Sequence, residues 1–351
     1  MTRPLRVALL PGDGVGPEVI AEARRVLEAT GVALELEELP WGSAFWREHG
    51  RMMPEDALEI VRGFDAVLLG AVGDASLPDD VTLWGLLLEL RQGLDLWANV
   101  RPARLLPGIP CPLAGRGPDD VDMLFIRENT EGEYSGVGGR AHRGTSAEVA
   151  IEASVFTRAG CDRVVRYAFE HARERRGVLT SATKSNASRY GYTLWDEVVR
   201  AAAADFPEVR VEHVLVDALC ARMVLDPASI DVVVASNLFG DVLTDVAAAL
   251  QGGLGVAASA NVAPDSGTPG LFEPVHGSAP DIAGQGVANP TGAIWSTALL
   301  LEHTGHADAA ARVMSALESA ARHGPKTRDV GGEASTREVG EAVAARVADA
   351  T

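Results

Sequence analysis

The chain holds 351 residues, enough for two domains or one large α/β unit with ample core. Hydrophobic residues make up 47% of it and the mean hydropathy is close to zero, the balance of an ordinary globular protein. A formal net charge of −18 repels phosphate backbones and anionic lipid surfaces, so neither a nucleic acid nor a membrane is an expected partner.

The opening MTRPLRVALLPGDG lacks the apolar run and small-residue cleavage site of a signal peptide. Charged side chains interrupt every candidate membrane span of about 20 residues. Cys111, Cys161 and Cys220 are far apart and form no CxxC pair, so a reducing, cytoplasmic setting is expected. Leu5–Leu10 reads as a strand, then a glycine turn, then a helix with Pro17 in its first turn. Asp65–Gly73 reads as a second, buried strand. Leu83–Arg91 has a helical pattern, and the prolines of ANVRPARLLPG make the next stretch extended. Asp122–Ile126 is a strand running into the loop ENTEGEY, and Glu148–Ser154 alternates as a strand. The spacing then predicts helix over Phe156–Arg176, strand over Gly177–Ala182 and helix over Ser188–Ala204. Strands Val209–Leu215 and Asp231–Ala235 flank a short helix, Ala218–Val224, and Leu238–Leu250 is helical. Residues 252–290 have loop character, and two alanine-rich helices complete the chain. This alternation predicts α/β architecture.

The turn Gly12-Asp13-Gly14-Val15-Gly16-Pro17 resembles a dinucleotide fingerprint only in part. Pro17 holds the third glycine position and no acidic residue follows a clear second strand, so a tight strand-to-helix turn is the better reading. In SNLFGDVLTDVAAAL, Asp241 and Asp245 lie one helical turn apart and project from one face. Like charges so placed cost about 0.2–0.5 kcal/mol unless a cation sits between them, and Mg²⁺ binds through such carboxylates. Asp217, ending VEHVLVD, is a third candidate ligand; a solvated acidic face is the plainer alternative. Arg91, Arg101 and Arg127 are candidate carboxylate binders, because guanidinium matches carboxylate bidentately. Only Lys184 and Lys326 are lysines among the 31 basic side chains. Arginine keeps its proton at working pH, so Lys184 in SATKSN is the candidate base and Tyr134 a candidate acid. A solvated lysine and a packed tyrosine are the bland readings.

Taken together, LLPGDGVGPEV, RQGLDLWANVRP, RENTEGEYSG, TSATKSN, VVVASNLFGDVLTD and LFEPVHGSAPDIAGQGVANP resemble the metal-dependent β-decarboxylating dehydrogenases of the isocitrate/isopropylmalate family. The resemblance implies an open two-domain α/β fold distinct from the Rossmann fold. Residues 1–98 plus 254–351 would form the large domain, and 99–253 the small one with the dimer contacts. It implies that Arg91, Arg101 and Arg127 hold substrate carboxylates, and that Asp241 and Asp245, with Asp217 of the partner subunit, hold Mg²⁺ or Mn²⁺. Lys184 also comes from the partner, so a homodimer is expected, and Tyr134 assists protonation after decarboxylation. NAD would lie against His276, Gly277, Ser278, Ala279, Asp281 and Asn289, with Asn186 near the nicotinamide. A carboxylate at Asp281 accepts from a ribose 2′-OH and repels a 2′-phosphate, which favours NAD over NADP. A monovalent cation such as K⁺ is a further candidate.

The resemblance places substrate choice in the stretch before Arg91, at Trp84, Leu87 and Leu88. That stretch offers no hydroxyl or amide for a third carboxylate, which disfavours isocitrate. LWG, RENTEGEYS, SATKSN and DALCARMVL look most like D-malate/tartrate dehydrogenases, so the expected substrate is a malate-type 2-hydroxy dicarboxylate. Leu86 and ASRYGYTLW differ from that subgroup. 3-Isopropylmalate and another 3-substituted malate are the alternatives, and a non-catalytic regulatory subunit is a third class.

Overall fold

The structure, a computed structural model, describes residues 3–264 and 266–350. The chain opens with β1 (Leu5–Gly12), α1 (Gly16–Ala29), β2 (Leu34–Glu38), α2 (Ser43–His49), α3 (Ala57–Arg62) and β3 (Ala66–Ala71). Next, α4 (Asp79–Thr82) runs through a π-helical turn, Leu83–Leu87, into α5 (Leu88–Gly93), and β4 (Ala98–Arg104) follows. The middle carries β5 (Asp122–Glu128), β6 (Gly132–Ala141), β7 (Val149–Val155), α6 (Arg158–Glu174), β8 (Val178–Thr183) and α7 (Gly191–Ala202). It continues with β9 (Arg210–Leu215), α8 (Val216–Leu225), β10 (Val232–Ala235) and α9 (Asn237–Leu250). The last elements are β11 (Ala258–Val262), β12 (Gly270–Pro274), α10 (Thr291–His303), α11 (Ala307–His323) and α12 (Thr336–Asp349).

These elements group into two compact units. One holds the residues up to Leu96, Arg101–Val121 and the residues from Ala248 on, so the 101–121 segment groups with the two ends of the chain. Its strands run β2-β1-β3-β12-β11, parallel except for the β11–β12 pair. The continuous apolar runs of β1 and β3 suit strands covered on both faces. Helix α1 packs on α10, α12 and β3, and α12 starts with a capping box, Ser335 and Glu338.

The glycine turn after β1 is a packing device. Gly12 and Gly14 have φ of +69° and +58°, and a Cβ on Gly14 would lie 2.0 Å from the Ser278 carbonyl oxygen. The bare backbone lets Val15 N donate to that oxygen at 2.9 Å, seating the 276–279 loop. Buried Asp13 accepts from Ser43 N, Ser43 Oγ and Gly73 N at 2.8, 2.8 and 3.0 Å.

Two expectations need correction in this unit. The stretch 252–290 contains β11 and β12, whose short buried segments ASANV and GLFEP lack a run of large apolar residues. Three helices, not two, close the chain. Helix α10 is buried on nearly all sides, which erases the polar stripe that a periodicity reading needs.

The other unit comprises Trp97–Val100 and Asp122–Ala247. Its strands run β5-β10-β8-β9, all parallel, with α6 against β5, β10 and β8, and α7 against β8. Thr157 caps α6, its side chain accepting from Gly160 N at 2.9 Å. The antiparallel pair β6–β7 stands as a separate hairpin, and it exposes Val137, Val149 and Ile151.

His171 on α6 has a buried Nε2 without a hydrogen-bond partner among the described residues, and its ring meets the edge of Tyr167 at 4.5 Å. Burial holds its pKa below the ordinary 6.5. A depressed folded-state pKa gives stability that is complete above the unfolded value and lost as pH falls through the folded one. The melting temperature is therefore expected to fall between pH 7 and pH 5. His171→Phe, which keeps a ring beside Tyr167, should flatten that fall. Parallel melting curves for the two proteins would remove His171 from the acid response.

Candidate active site

Arg127, near the end of β5, is only 2% exposed. Its Nε and Nη2 donate to Asn237 Oδ1 at 3.1 and 2.7 Å, and its Nη1 pairs with Asp241. Helix α9 is built to receive it: Asn237, Gly240 and Asp241 follow at helical spacing, so they share a face. A Cβ on Gly240 would lie 2.5 Å from Arg127 Cγ, so the arginine stem passes where only glycine leaves room.

Tyr134 belongs to a strand, which corrects the expected loop. Gly132 pairs with Val155 and Val137 with Ala153, and the irregular stretch between them carries Tyr134. Bulges of this kind re-aim side chains. The Tyr134 hydroxyl donates to Asp241 Oδ2 at 3.2 Å, and its ring centre lies 5.8 Å from Arg127 Cζ. Burial and then the Asp241 charge raise the phenol above its ordinary pKa, so it is a neutral proton donor at neutral pH. Asp245, one turn beyond Asp241 on α9, is exposed. Among the described residues of this single chain, no cluster of three His, Cys, Asp or Glu is placed to hold a metal.

Lys184 directly follows β8, and its Nζ donates to Asp217 Oδ1 at 2.6 Å. Asp217 sits in the first turn of α8 rather than at the strand end, and the lysine bond holds its carboxyl below the usual range. Asn186, two residues after Lys184, is exposed.

In the unit with both chain ends, Arg91 on α5 is 5% exposed and its Nη2 donates to Glu273 Oε1 at 2.6 Å. Glu273 also accepts from Asn261 Nδ2 at 2.9 Å, and Arg91 Nε is buried without an acceptor among the described residues. Arg101 is buried on β4. An α-helix turns by about 100° per residue, so Leu87 and Leu88 flank the Arg91 face of the helix. The π-helical turn Leu83–Leu87 precedes Leu88. Trp84, within that turn, lines a cavity of about 600 Å³ with Trp46, Met52 and Met53, and Arg91 is not in its wall.

A second cavity of this unit, about 660 Å³, is lined by His276, Gly277, Ala279 and Asn289 from the expected cofactor set. Ser278 and Asp281 stand outside its lining. Val15, Gly252–Gly255, Ile282, Gln285, Arg328 and Asp329 are wall residues that sequence reading missed. The one available signal was the glycine pair Gly252-Gly253, read as plain loop. Asp329 Oδ2 accepts from Asn289 Nδ2 at 2.9 Å, and Asn289 Oδ1 accepts from Thr291 N at 3.0 Å, which fixes that amide at the start of α10. Burial lowers the His276 pKa, so the imidazole facing this cavity is neutral at neutral pH.

The isocitrate/isopropylmalate dehydrogenase family profile matches residues 6–343. The chain is 50% identical to a probable tartrate dehydrogenase/decarboxylase of Agrobacterium vitis, covering 99% of this chain and 97% of that one. It is 49% identical to the D-malate dehydrogenase [decarboxylating] of Escherichia coli, covering 98% of each. Identity to the 3-isopropylmalate dehydrogenase of Thermobifida fusca is 47%, covering 99% of each. The crystal structure of isocitrate dehydrogenase from Methylococcus capsulatus superposes with a TM-score of 0.89 at 36% identity, over 98% of this chain and 99% of that one. The chain therefore belongs to the isocitrate/isopropylmalate dehydrogenase family, oxidoreductases that act on a CH–OH group, and has that family's α/β fold rather than a Rossmann fold.

Glu273→Ala would strand the buried Arg91 charge. The expected loss is about 3–5 kcal/mol in denaturant unfolding. An unchanged midpoint would show that the pair is solvated in solution.

Proposed function

We propose that this chain catalyses the NAD-dependent oxidative decarboxylation of a malate-type 2-hydroxy dicarboxylate, D-malate or tartrate in character. The observation that carries this reading is the joining of Arg127, Tyr134 and Asp241, with Asp245 one turn on, in a member of this family. Relatives named for tartrate and D-malate, near half identical over almost the full chain, support the substrate class.

Asp241 and Asp245 present hard carboxylate oxygens on one helix face and fit a Mg²⁺ or Mn²⁺, with Asp217 of the partner subunit as third ligand. Such an ion would supply Lewis acidity that eases ionisation of the substrate hydroxyl. Arg91, Arg101 and Arg127 bind the substrate carboxylates. Arg127, already anchored by Asn237, keeps its fork planar and needs little reorganisation to do so. Lys184 relays the proton of the C2 hydroxyl away, NAD would supply the hydride acceptor when bound, and the neutral Tyr134 hydroxyl helps protonate the carbon that has lost CO₂. Lys184 and Asp217 already stand as a bonded pair, which supports their joint delivery by a partner subunit. The apolar hairpin surface, with Ile151 65% exposed, supports a homodimer through this unit.

The 660 Å³ cavity is the place for NAD, and Asn289 and His276 are its polar contacts. Asp281 sets the preference against a 2′-phosphate, and Asn186 serves the nicotinamide. The three free thiols suit a cytoplasmic enzyme, and among the described residues no helix is long and apolar enough to cross a membrane. A second reading, 3-isopropylmalate, is favoured by Leu87 and Leu88 beside Arg91 and by the Thermobifida relative.

NADH formation on D-malate, tartrate and 3-isopropylmalate separates these readings. The highest kcat/KM is expected on D-malate or tartrate, and a preference for 3-isopropylmalate would give the second reading precedence. Chelation should abolish turnover and Mn²⁺ restore it. Lys184→Ala should lower kcat by about 10²–10⁴-fold; near-normal turnover would take the proton-transfer role from Lys184.

A further inference from the structure

We propose that Glu133 and Tyr192 form a positioning pair that pins the strand carrying Tyr134 to the start of the helix carrying Asp241. The catalytic consequence rests on the function proposed above. The geometry does not.

Glu133 directly precedes Tyr134 on β6, and its two carboxylate oxygens face different elements. Oε1 accepts from the Tyr192 hydroxyl of α7 at 3.0 Å, and Oε2 accepts from Leu238 N, in the first turn of α9, at 3.3 Å. The Tyr192 hydroxyl also lies 2.7 Å from Ser236 Oγ, on the residue just before α9. A carboxylate only accepts, so the phenol proton points at Glu133 and the Ser236 hydroxyl donates to Tyr192. Three elements thus meet at one carboxylate.

Tyr192 has little freedom to leave. It is 4% exposed, its ring stacks on Phe239 of α9 at 4.6 Å, and it leans on Phe156 at 5.2 Å. A Cβ on Gly191 would lie 2.5 Å from the Phe156 ring, so the preceding glycine lets α7 approach that closely. Burial raises the phenol above its ordinary range, which keeps it a donor across working pH.

The placement of Glu133 is also favourable electrostatically. The first turn of a helix has unpaired N–H groups and a partial positive charge, and a carboxylate there satisfies both. The neighbouring backbone is tied to the same point, since Asn237 Nδ2 donates to Glu131 O at 3.1 Å. Tyr134 Oη and Asp241 Oδ2, 3.2 Å apart, are carried by exactly two segments, β6 and α9, and Glu133 joins them one residue before Tyr134 and three before Asp241.

Tyr192→Phe keeps both ring contacts and deletes the hydroxyl. Three measurements on the full-length protein decide the matter: steady-state kinetics with D-malate, Mn²⁺ binding by electron paramagnetic resonance without substrate, and amide exchange at Leu238. Expected are a kcat lower by about 10-fold with KM within about 2-fold, as for a small displacement of reacting groups. Mn²⁺ affinity should weaken and Leu238 exchange speed up by about 10-fold. Glu133→Gln, which retains an acceptor for one donor, should fall between wild type and Tyr192→Phe. Wild-type kcat, Mn²⁺ affinity and exchange in Tyr192→Phe would overturn the proposal, as would a kcat loss that only tracks the folded fraction. If Tyr192→Phe does not fold, Glu133→Gln is judged by the same criteria. If the wild type makes no NADH from any malate, the proposed function fails, and Mn²⁺ affinity with Leu238 exchange still decides the positioning role.

Discussion

A guanidinium that is almost fully buried governs the middle unit. Removing such a charge from water costs several kcal/mol unless neighbouring groups replace the lost hydration. Arg127 finds that replacement in an amide oxygen and a carboxylate, both on α9. The end of β5 and the first turns of α9 are therefore fixed against each other by electrostatics. Gly240 opens the space through which the arginine stem passes. A Lys at this position would lose the planar fork, and an Ala at 240 would push the stem away.

The same arrangement recurs in the other unit, where Arg91 lies against Glu273 and Glu273 is held by Asn261. In a chain of net charge −18, cationic ligands for an anionic substrate cannot rely on the global field. Arg91 and Arg127 are each held by an acidic partner, so the orientation of each guanidinium is fixed beforehand. Preorganisation of this kind lowers the cost of binding, because the side chain loses little freedom when the ligand arrives. Asp241 has a double part, offsetting Arg127 and raising the Tyr134 pKa, and Asp245 lies one turn further on the same helix.

Much of this was legible in the sequence, and the exceptions have physical causes. The strands around Leu68, Phe125 and Val233 announce themselves as buried apolar runs, and α9 through its carboxylate pair. Helix α10 is apolar on nearly every side and so shows no period. Strands β11 and β12 are too short and too poor in large side chains to stand out among glycines and prolines. Strand β6, with GEYSGVGGRA, reads as a turn because its pairing is interrupted where Tyr134 sits. The π-helical turn before Arg91 cannot be read from hydrophobic spacing at all. The partner residues were the hardest to foresee. Glu133, Tyr192, Asn237 and Glu273 act across long sequence separations, and their types are common on any surface.

The central claim is that the α9 carboxylates form half of a divalent-cation site completed by a second subunit. Crystals grown with Mn²⁺ and examined by anomalous scattering at the manganese edge test it most directly. The account predicts one strong peak within bonding distance of both Asp241 and Asp245, with the partner subunit's Asp217 as the third carboxylate. Manganese bound elsewhere, or no peak while Arg127 and Asp241 stay locked together, would contradict it.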